Sequence, residues 1–274
     1  MKVAGVVVLY NSPVSCVENI DTYLVQLSKL FVVDNSDCVN ETLVEQINKL
    51  TNVQYIYNFG NKGIANALNR AAEYAIMEGN DYLLTMDDDS SVPDNMILEM
   101  KHFISGYSDP NQIGIVSVAH SPATLRVKKP NPVLYTMTCG NIINLKAHKV
   151  IGGFREDLFV DHVDHEYCLH LSSAGYTIIE LPISLNSHVL GERKHKWGMP
   201  FVSRQPVRQY YMVRNGIITA HSYFNKYPIF TYKIAKLLVK EFLKIVFAQG
   251  NKKQRMWLMV RGIQDALLGK IGKI

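Results

Sequence analysis

Apolar and polar positions alternate along the first ninety residues with a regularity that predicts its own elements. Residues 3–9 form a near-continuous apolar run of strand length, the mark of a strand covered on both faces. Residues 14–27 carry apolar side chains at roughly helical spacing and predict the first helix. A second strand over 30–33 ends at Asp34-Asn35-Ser36, and a second helix over 40–50 has Asn40 or Thr42 as its cap. A third strand, 53–57, leads through the loop 58–63 into an alanine-rich helix over 64–78. The run that begins at Tyr82 is again strand-like. This alternation of strand and helix predicts a parallel sheet with helices on both faces. Beyond Pro93 the pattern loosens. It predicts a helix over 95–105, a strand over 113–119, a basic loop over 121–132, and strands over 134–139 and 142–145. A short helix over 146–150, stopped by Gly152-Gly153, a helix over 167–174 and a strand over 177–181 complete the expectation.

The chemistry concentrates where the fourth strand ends. Tyr82-Leu-Leu-Thr-Met-Asp-Asp-Asp-Ser90 drives an apolar strand straight into three carboxylates. Open α/β sheets place their ligands at the carboxyl ends of their strands. In extended chain, Asp87 and Asp89 point to one side and Asp88 to the other. Two carboxylates on one side make a seat for a hard divalent cation. A solvated acidic turn that caps the next helix is the plainer alternative, since Ser90, Ser91, Pro93 and Asp94 all suit a helix start.

Composition narrows the choices. The 274 residues, 47% hydrophobic and 19% charged, are ordinary for a globular protein with one large domain or slightly more. Four cysteines without a C-x-x-C pair indicate neither a zinc knuckle nor a disulfide framework, and point to a reducing, cytoplasmic compartment. The apolar N-terminus lacks the pattern of a signal peptide. No apolar run approaches the roughly 18 residues of a spanning helix. The first loop, Tyr10-Asn11-Ser12-Pro13, has no G-x-G-x-x-G, and no G-x-x-x-x-G-K-[ST] occurs anywhere, so both phosphate-binding fingerprints are missing. The net charge of +5 conceals a segregation. Residues 1–191 carry 12 basic and 21 acidic side chains, a balance of −9, while 192–274 carry 17 and three, a balance of +14. A basic tail on an acidic body implies an anionic surface as partner.

A second acidic cluster follows the Gly-Gly turn: Asp161-His-Val-Asp164-His-Glu166, which opens a helix. Carboxylates at a helix start satisfy free N–H groups and the dipole. A carboxylate that faces a substrate hydroxyl can equally serve as a general base.

With these stretches in place, the chain resembles the inverting glycosyltransferases of family 2, most closely their rhamnosyltransferase-like branch. The resemblance runs over most of the chain. It is carried by Val6-Val-Val-Leu-Tyr-Asn11, Val32-Val-Asp-Asn-Ser36, Asn61-Lys-Gly-Ile-Ala-Asn-Ala-Leu-Asn69, Met86-Asp-Asp-Asp-Ser90, Gly152-Gly-Phe154, Phe159-Val-Asp-His-Val-Asp-His-Glu-Tyr-Cys168, His188-Val-Leu-Gly191 and Arg208-Gln-Tyr-Tyr-Met-Val-Arg-Asn215. It implies a GT-A fold, a Rossmann-like and mostly parallel nucleotide-binding sheet joined to an acceptor-side region. It also implies a nucleotide-diphosphate sugar as donor and Mn²⁺ or Mg²⁺ as cofactor. Tyr10, Asn11 and Asp34 would then meet base and ribose, and Asn61, Lys62 and Gly63 would line the nucleotide pocket. Asp87 and Asp89 match the D-x-D acids, of which the second usually binds the metal and the first contacts ribose or metal-bound water; Asp88, where an uncharged residue is usual, would join Asp87 among the donor-binding residues. Asp164 matches the catalytic aspartate and His188 a further metal ligand. His170 stands where the family has arginine. Such an enzyme builds surface polysaccharide on a glycan or lipid-linked acceptor.

Arg208, Tyr211 and Arg214 recur at spacings of three and share a helix face; a diphosphate or acceptor contact is the reading for both arginines, with an ordinary salt-bridged face as the alternative. Downstream, Lys233, Lys236, Lys240 and Lys244 form one stripe of a helix over 227–247, with Leu237, Leu238, Phe242, Ile245 and Val246 opposite. That is the pattern of a helix in a membrane interface. The chain therefore reads as a catalytic domain over 1–205 and a basic helical region over 206–274. The region would lie on an anionic membrane, on the inner face of the cell membrane, or form a homodimer. Two other functions compete. A sugar-phosphate nucleotidyltransferase would share the sheet and the acids but needs a glycine-rich basic loop after the first strand. A nucleic-acid-binding module is opposed by the acidic body and by the lack of any nucleic-acid-binding motif.

Overall fold

A computed structural model of the chain describes residues 1–120, 122–187, 192–196, 199–203 and 205–274; for 122–123, 127, 192–196 and 199–203 it describes the backbone alone. The chain packs as two units, Met1–Phe154 with Tyr167–His188, and Arg155–Glu166 with Val189–Ile274. The sequence suggested one cut near residue 205. The packing instead gathers the segment 155–166 with the C-terminal helices.

The first unit is built on an eight-stranded sheet. In chain order its elements are β1 (Val3–Leu9), α1 (Cys16–Leu24), β2 (Leu30–Asp34), α2 (Glu41–Ile47), β3 (Val53–Tyr57), α3 (Ile64–Met77), β4 (Tyr82–Asp87), α4 (Met96–Gly106), β5 (Ile113–Ser117), α5 (Pro122–Val127), β6 (Asn131–Val133), β7 (Asn141–Asn144) and α6 (Leu145–Ile151). Helix α7 (Val163–Ser173) and β8 (Thr177–Glu180) follow. The strand order is β3-β2-β1-β4-β7-β5-β8-β6. Pairing is parallel from β3 through β4, as the alternation of elements requires. β7 then inserts antiparallel to both β4 and β5, β8 runs parallel to β5, and β6 closes the edge antiparallel. The sheet is mixed, with its parallel part at the end that carries Asp34 and Asp87.

β2 is buried at every position, and β1 and β4 at all but one each, because helices cover both faces of the sheet. Helix α3 turns Ala65, Ala67, Ala71, Ala72 and Ala75 inward. Small side chains let it lie close on the strands.

Two expectations change. The segment 134–139 is not a strand. Its carbonyls are claimed by side chains rather than by a neighbouring strand: Thr85 Oγ1 donates to Thr138 O at 2.5 Å and Asn141 Nδ2 to Met137 O at 2.6 Å. The basic loop contains α5, where Thr124 Oγ1 donates to the buried Glu180 carboxylate at 2.7 Å.

The second unit holds the hairpin β9 (Glu192–Lys196) and β10 (Met199–Ser203), then α8 (Pro206–Ser222), α9 (Pro228–Phe247) and α10 (Lys252–Leu267). Tyr210, Tyr211 and Leu258 pack around Phe159, and Val213, Ile245 and Met259 form a second cluster. Among the described residues, no helix is long and apolar enough to cross a membrane.

Candidate functional site

The carboxyl ends of β1, β2 and β4 bring Tyr10, Asp34 and Asp87 to one edge, because the three strands run parallel and in register: Leu9 pairs with Asp34, and Val8 with Asp87. Asp34 is buried, and both its oxygens are engaged. Oδ1 accepts the Ser36 N–H at 2.8 Å and Oδ2 accepts the Tyr55 hydroxyl at 2.7 Å. Burial, and then this bond, push the Tyr55 phenol well up, so it remains a neutral donor. Asn11 takes a left-handed backbone conformation at φ 53°, and its N–H donates to Ser36 Oγ at 2.8 Å. Tyr10 is exposed, and its hydroxyl donates to Asp37 at 3.1 Å.

The loop 58–63 is tied from beneath. Asn35 Nδ2 donates to Gly63 O at 3.0 Å, Asn58 Nδ2 to Asn35 Oδ1 at 2.7 Å, and Arg70 to Asn58 Oδ1 at 2.6 Å. Gly63 has φ 91°, a conformation that glycine adopts without strain, and Asn61 Oδ1 accepts its N–H at 3.0 Å. Lys62 is exposed at the tip.

The strand ends at Asp87, and Asp88 and Asp89 lie in the turn that follows, so the alternation expected of extended chain does not run through the triplet. Asp88 Oδ2 is held by the Ser12 hydroxyl, and Asn19 Nδ2 donates to the Asp88 carbonyl at 2.9 Å. Burial, with the Asp89 charge behind it, lifts the Asp88 carboxyl above its ordinary range against the pull of Ser12. Asp87 and Asp89 are each half-buried, and Asp89 Oδ1 accepts the Ser90 hydroxyl at 3.0 Å. Cys139 beneath them is inert: burial first, and then Asp87, push its thiol up to about 12. Among the described residues no three His, Cys, Asp or Glu side chains converge into a complete metal cage. A Mg²⁺-type ion needs no such cage, since one or two carboxylates plus substrate phosphates hold it. Asp87 and Asp89 fit that requirement. His188 lies outside the described residues.

In the second unit, Asp164 sits in the first turn of α7. Its Oδ1 accepts the His165 N–H at 2.8 Å and lies 3.0 Å from His165 Nδ1. The Asp164 side chain is 23% exposed. Burial raises its carboxyl, but His165 and then His162 outweigh that and bring it down to about 2. Burial disfavours the His165 imidazolium, yet the Asp164 carboxylate overcomes it and lifts the imidazole above its usual value. His162 is driven the other way, to about 4, by burial and then by His165.

The backbone that leads to Asp164 is strained. Phe159, Asp161 and His162 have φ of 67°, 59° and 63°, in the region that bulky L residues avoid. Helix α8 holds it there. Asn215 Nδ2 lies 2.7, 2.6 and 3.0 Å from the carbonyls of Leu158, Val160 and Asp161. Arg214 donates to Asn215 Oδ1 at 2.8 Å, Gly272 O at 2.7 Å and Leu158 O at 3.3 Å, and lies over the rings of Tyr210 and Tyr211.

The family model described as Glycosyl transferase family 2 matches residues 6–155. The chain belongs to glycosyl transferase family 2. It is 24% identical over 294 residues to the dTDP-rhamnosyl transferase RfbF of Shigella flexneri, spanning 99% of this chain and 97% of that protein. Its fold is similar to that of S. aureus TarS residues 1–349, with a TM-score of 0.63 at 15% identity over 97% of this chain and 81% of that one. GalNAc-T7, solved with UDP, GalNAc and Mn²⁺, superposes with a TM-score of 0.62 at 14% identity over 98% and 58%. The fold is thus GT-A, and the protein is a glycosyltransferase.

Family 2 membership sets aside the nucleotidyltransferase and the nucleic-acid module. One expected ligand contact is corrected. Arg214 is wholly buried, and its guanidinium is engaged by carbonyls, an amide and two rings, so it has no surface from which to reach a diphosphate. Only its helix-mate Arg208 is exposed, at 45%, and it forms a two-pronged pair with Asp161 at 2.6 and 3.1 Å. The sequence reading missed Ser12, Tyr55 and Asn215, and it places His165 at the surface or on the acceptor side, not as the partner of Asp164. Ser12 and Asn215 lay inside stretches already singled out. Tyr55 could have been found from the strand period, since it falls on the same face of β3 as Tyr57, which pairs in register with Asp34.

Proposed function

We propose that this glycosyltransferase moves L-rhamnose from dTDP-L-rhamnose, with inversion, to a glycan or lipid-linked acceptor; UDP-sugars are the alternative donors. The observation that carries the reading is the end-to-end similarity to a dTDP-rhamnosyl transferase, together with two carboxylates at the end of β4 whose neighbour, Asp88, is turned onto Ser12.

In this reading Tyr10, Asn11, Asp34, Asn61, Lys62 and Gly63 bind the nucleotide. Asp34 keeps Tyr55 and Ser36 as partners and shapes the ribose contact through the loop it closes. Asp87 and Asp89 would hold Mn²⁺ or Mg²⁺, with His188 as a further ligand. The ion supplies charge neutralisation to the departing diphosphate. Asp164 Oδ1 is occupied by His165, which leaves Oδ2 for the acceptor hydroxyl. As the acceptor oxygen bonds to the anomeric carbon, the bond from that carbon to the phosphate oxygen breaks. The hydroxyl proton passes to Asp164, and the nucleoside diphosphate leaves. Arg208 contacts the acceptor side. The C-terminal unit, with its excess of lysine and arginine, associates peripherally with an anionic membrane on the cytoplasmic side.

The deciding experiment is incubation with dTDP-L-rhamnose and a panel of UDP-sugars in Mn²⁺, reading acceptor-dependent release of nucleoside diphosphate. Release with dTDP-L-rhamnose alone supports the donor. Equal or greater release with a UDP-sugar overturns it. Full activity in excess chelator overturns the metal assignment.

A further inference from the structure

Helix α9 has two apolar faces, and the fold uses one. Phe230, Ile234 and Ile245 are buried within the second unit. On the side facing solvent, Tyr232, Val239, Leu243 and Phe247 are 68, 60, 46 and 67% exposed. Their spacings of seven, four and four residues set them along one line of the helix, roughly 22 Å long at about 1.5 Å per residue. The exposed Lys236 and Lys240 flank that line. Leu237, Leu238 and Ile245, which periodicity alone placed on the membrane side, are partly or fully covered by the fold.

The charge around this line has one sign. Residues 228–274 contain ten lysines and arginines and two acids, Glu241 and Asp265. Both acids are buried and paired, Glu241 with Lys244, and Asp265 with Lys270 at 3.1 Å and Arg261 at 3.5 Å. No acidic side chain of this stretch is exposed. A second copy docked through this face would set lysine against lysine with nothing to compensate. Nucleic acid would account for the lysines but not for four exposed apolar side chains in a row. An anionic lipid surface accounts for both, since phosphates meet the lysines and acyl chains receive the apolar line. α9 is not long and apolar enough to cross a bilayer.

We infer that the Tyr232–Val239–Leu243–Phe247 line of α9, flanked by Lys236 and Lys240, is the surface by which the protein lies on an anionic membrane. This deepens the peripheral association proposed above by naming the face that makes it. The test is co-sedimentation of the full chain with vesicles of phosphatidylcholine, with and without phosphatidylglycerol. Three proteins are compared at low salt: wild type, Lys236→Glu/Lys240→Glu, and Val239→Ser/Leu243→Ser/Phe247→Ser. All the altered side chains are exposed, and circular dichroism verifies the fold of each variant. Wild type is expected to bind only vesicles that contain phosphatidylglycerol. The lysine variant is expected to lose affinity by roughly tenfold or more, as about 1 kcal/mol per lysine near an anionic surface implies, and the serine variant by at least as much through the apolar burial it gives up. If wild type binds and both variants bind equally well, this face is wrong while membrane association stands. If wild type stays in the supernatant, both are overturned. If light scattering gives a dimer that the serine variant dissolves, a second copy covers the face and the inference falls.

Discussion

Asn215→Leu is the most informative single change in the second unit. The side chains are close in size, so the substitution removes hydrogen bonds while filling most of the space. In the wild type, Asn215 Nδ2 serves the carbonyls of Leu158, Val160 and Asp161 at 2.7, 2.6 and 3.0 Å. Leu158 O keeps a second donor in Arg214, so the variant takes the amide donor from two part-buried carbonyls, those of Val160 and Asp161. At about 0.5–1.5 kcal/mol for each hydrogen bond lost, the loss is roughly 1–3 kcal/mol. The left-handed residues Phe159, Asp161 and His162 store strain that these bonds oppose, so the loop relaxes and carries Asp164 with it. Thermal unfolding should fall by several degrees, at about 2–4 °C per kcal/mol for a chain of this size. Turnover should drop at least tenfold at temperatures where the variant is still folded, with donor binding retained. Asn215→Asp, which replaces the donor by an acceptor, should fare no better. A variant with wild-type melting and wild-type turnover would show that the clamp neither holds the loop nor places Asp164.

Other expectations follow from the same geometry. Asp164→Asn should lower turnover by about 10²–10⁴, the usual contribution of a general base, while nucleotide binding measured by thermal shift persists; near-normal turnover would remove Asp164 from the chemistry. The same variant should reveal a pH window in stability. The Asp164 carboxyl is depressed to about 2, so its contribution is full above the unfolded value near 3.9 and is lost as pH falls through about 2. His165 is raised, so its contribution is full below about 6.5 and is lost as pH rises through its folded value. The wild type should therefore exceed Asp164→Asn in stability most between about pH 4 and 6.5, by roughly 2 kcal/mol; a pH-independent gap in melting would refute the pairing. Tyr55→Phe leaves the buried Asp34 without one of its two donors, at a cost of about 1–3 kcal/mol, and should weaken nucleotide affinity; unchanged affinity would place the ribose contact elsewhere. Asp88→Asn should retain most activity because Asp88 faces Ser12, whereas Asp89→Ala should abolish it together with any response to Mn²⁺; the reverse order would reassign the metal ligands.

The sequence carried the parallel half of the sheet almost to the residue. β1 and β3 begin and end where the apolar runs do, and α3 ends within a residue of its alanine pattern. These features are local: side-chain period, turn residues and caps act over a few positions, and the sequence displays them directly. The position of the acids at the ligand edge also follows, because a parallel strand that ends in Asp87 can present it only at its carboxyl end. What distant partners decide was hidden. Asp88 is held by a serine 76 positions earlier, and β7 entered antiparallel between β4 and β5 without a signature in its own four residues. Arg214 looked like a ligand because helical spacing gives a face and not a depth; only the tertiary packing put that face under Leu158 and Gly272. Helix α9 likewise shows in its sequence that it is basic and amphipathic, but which apolar line the fold covers depends on neighbours that periodicity does not contain.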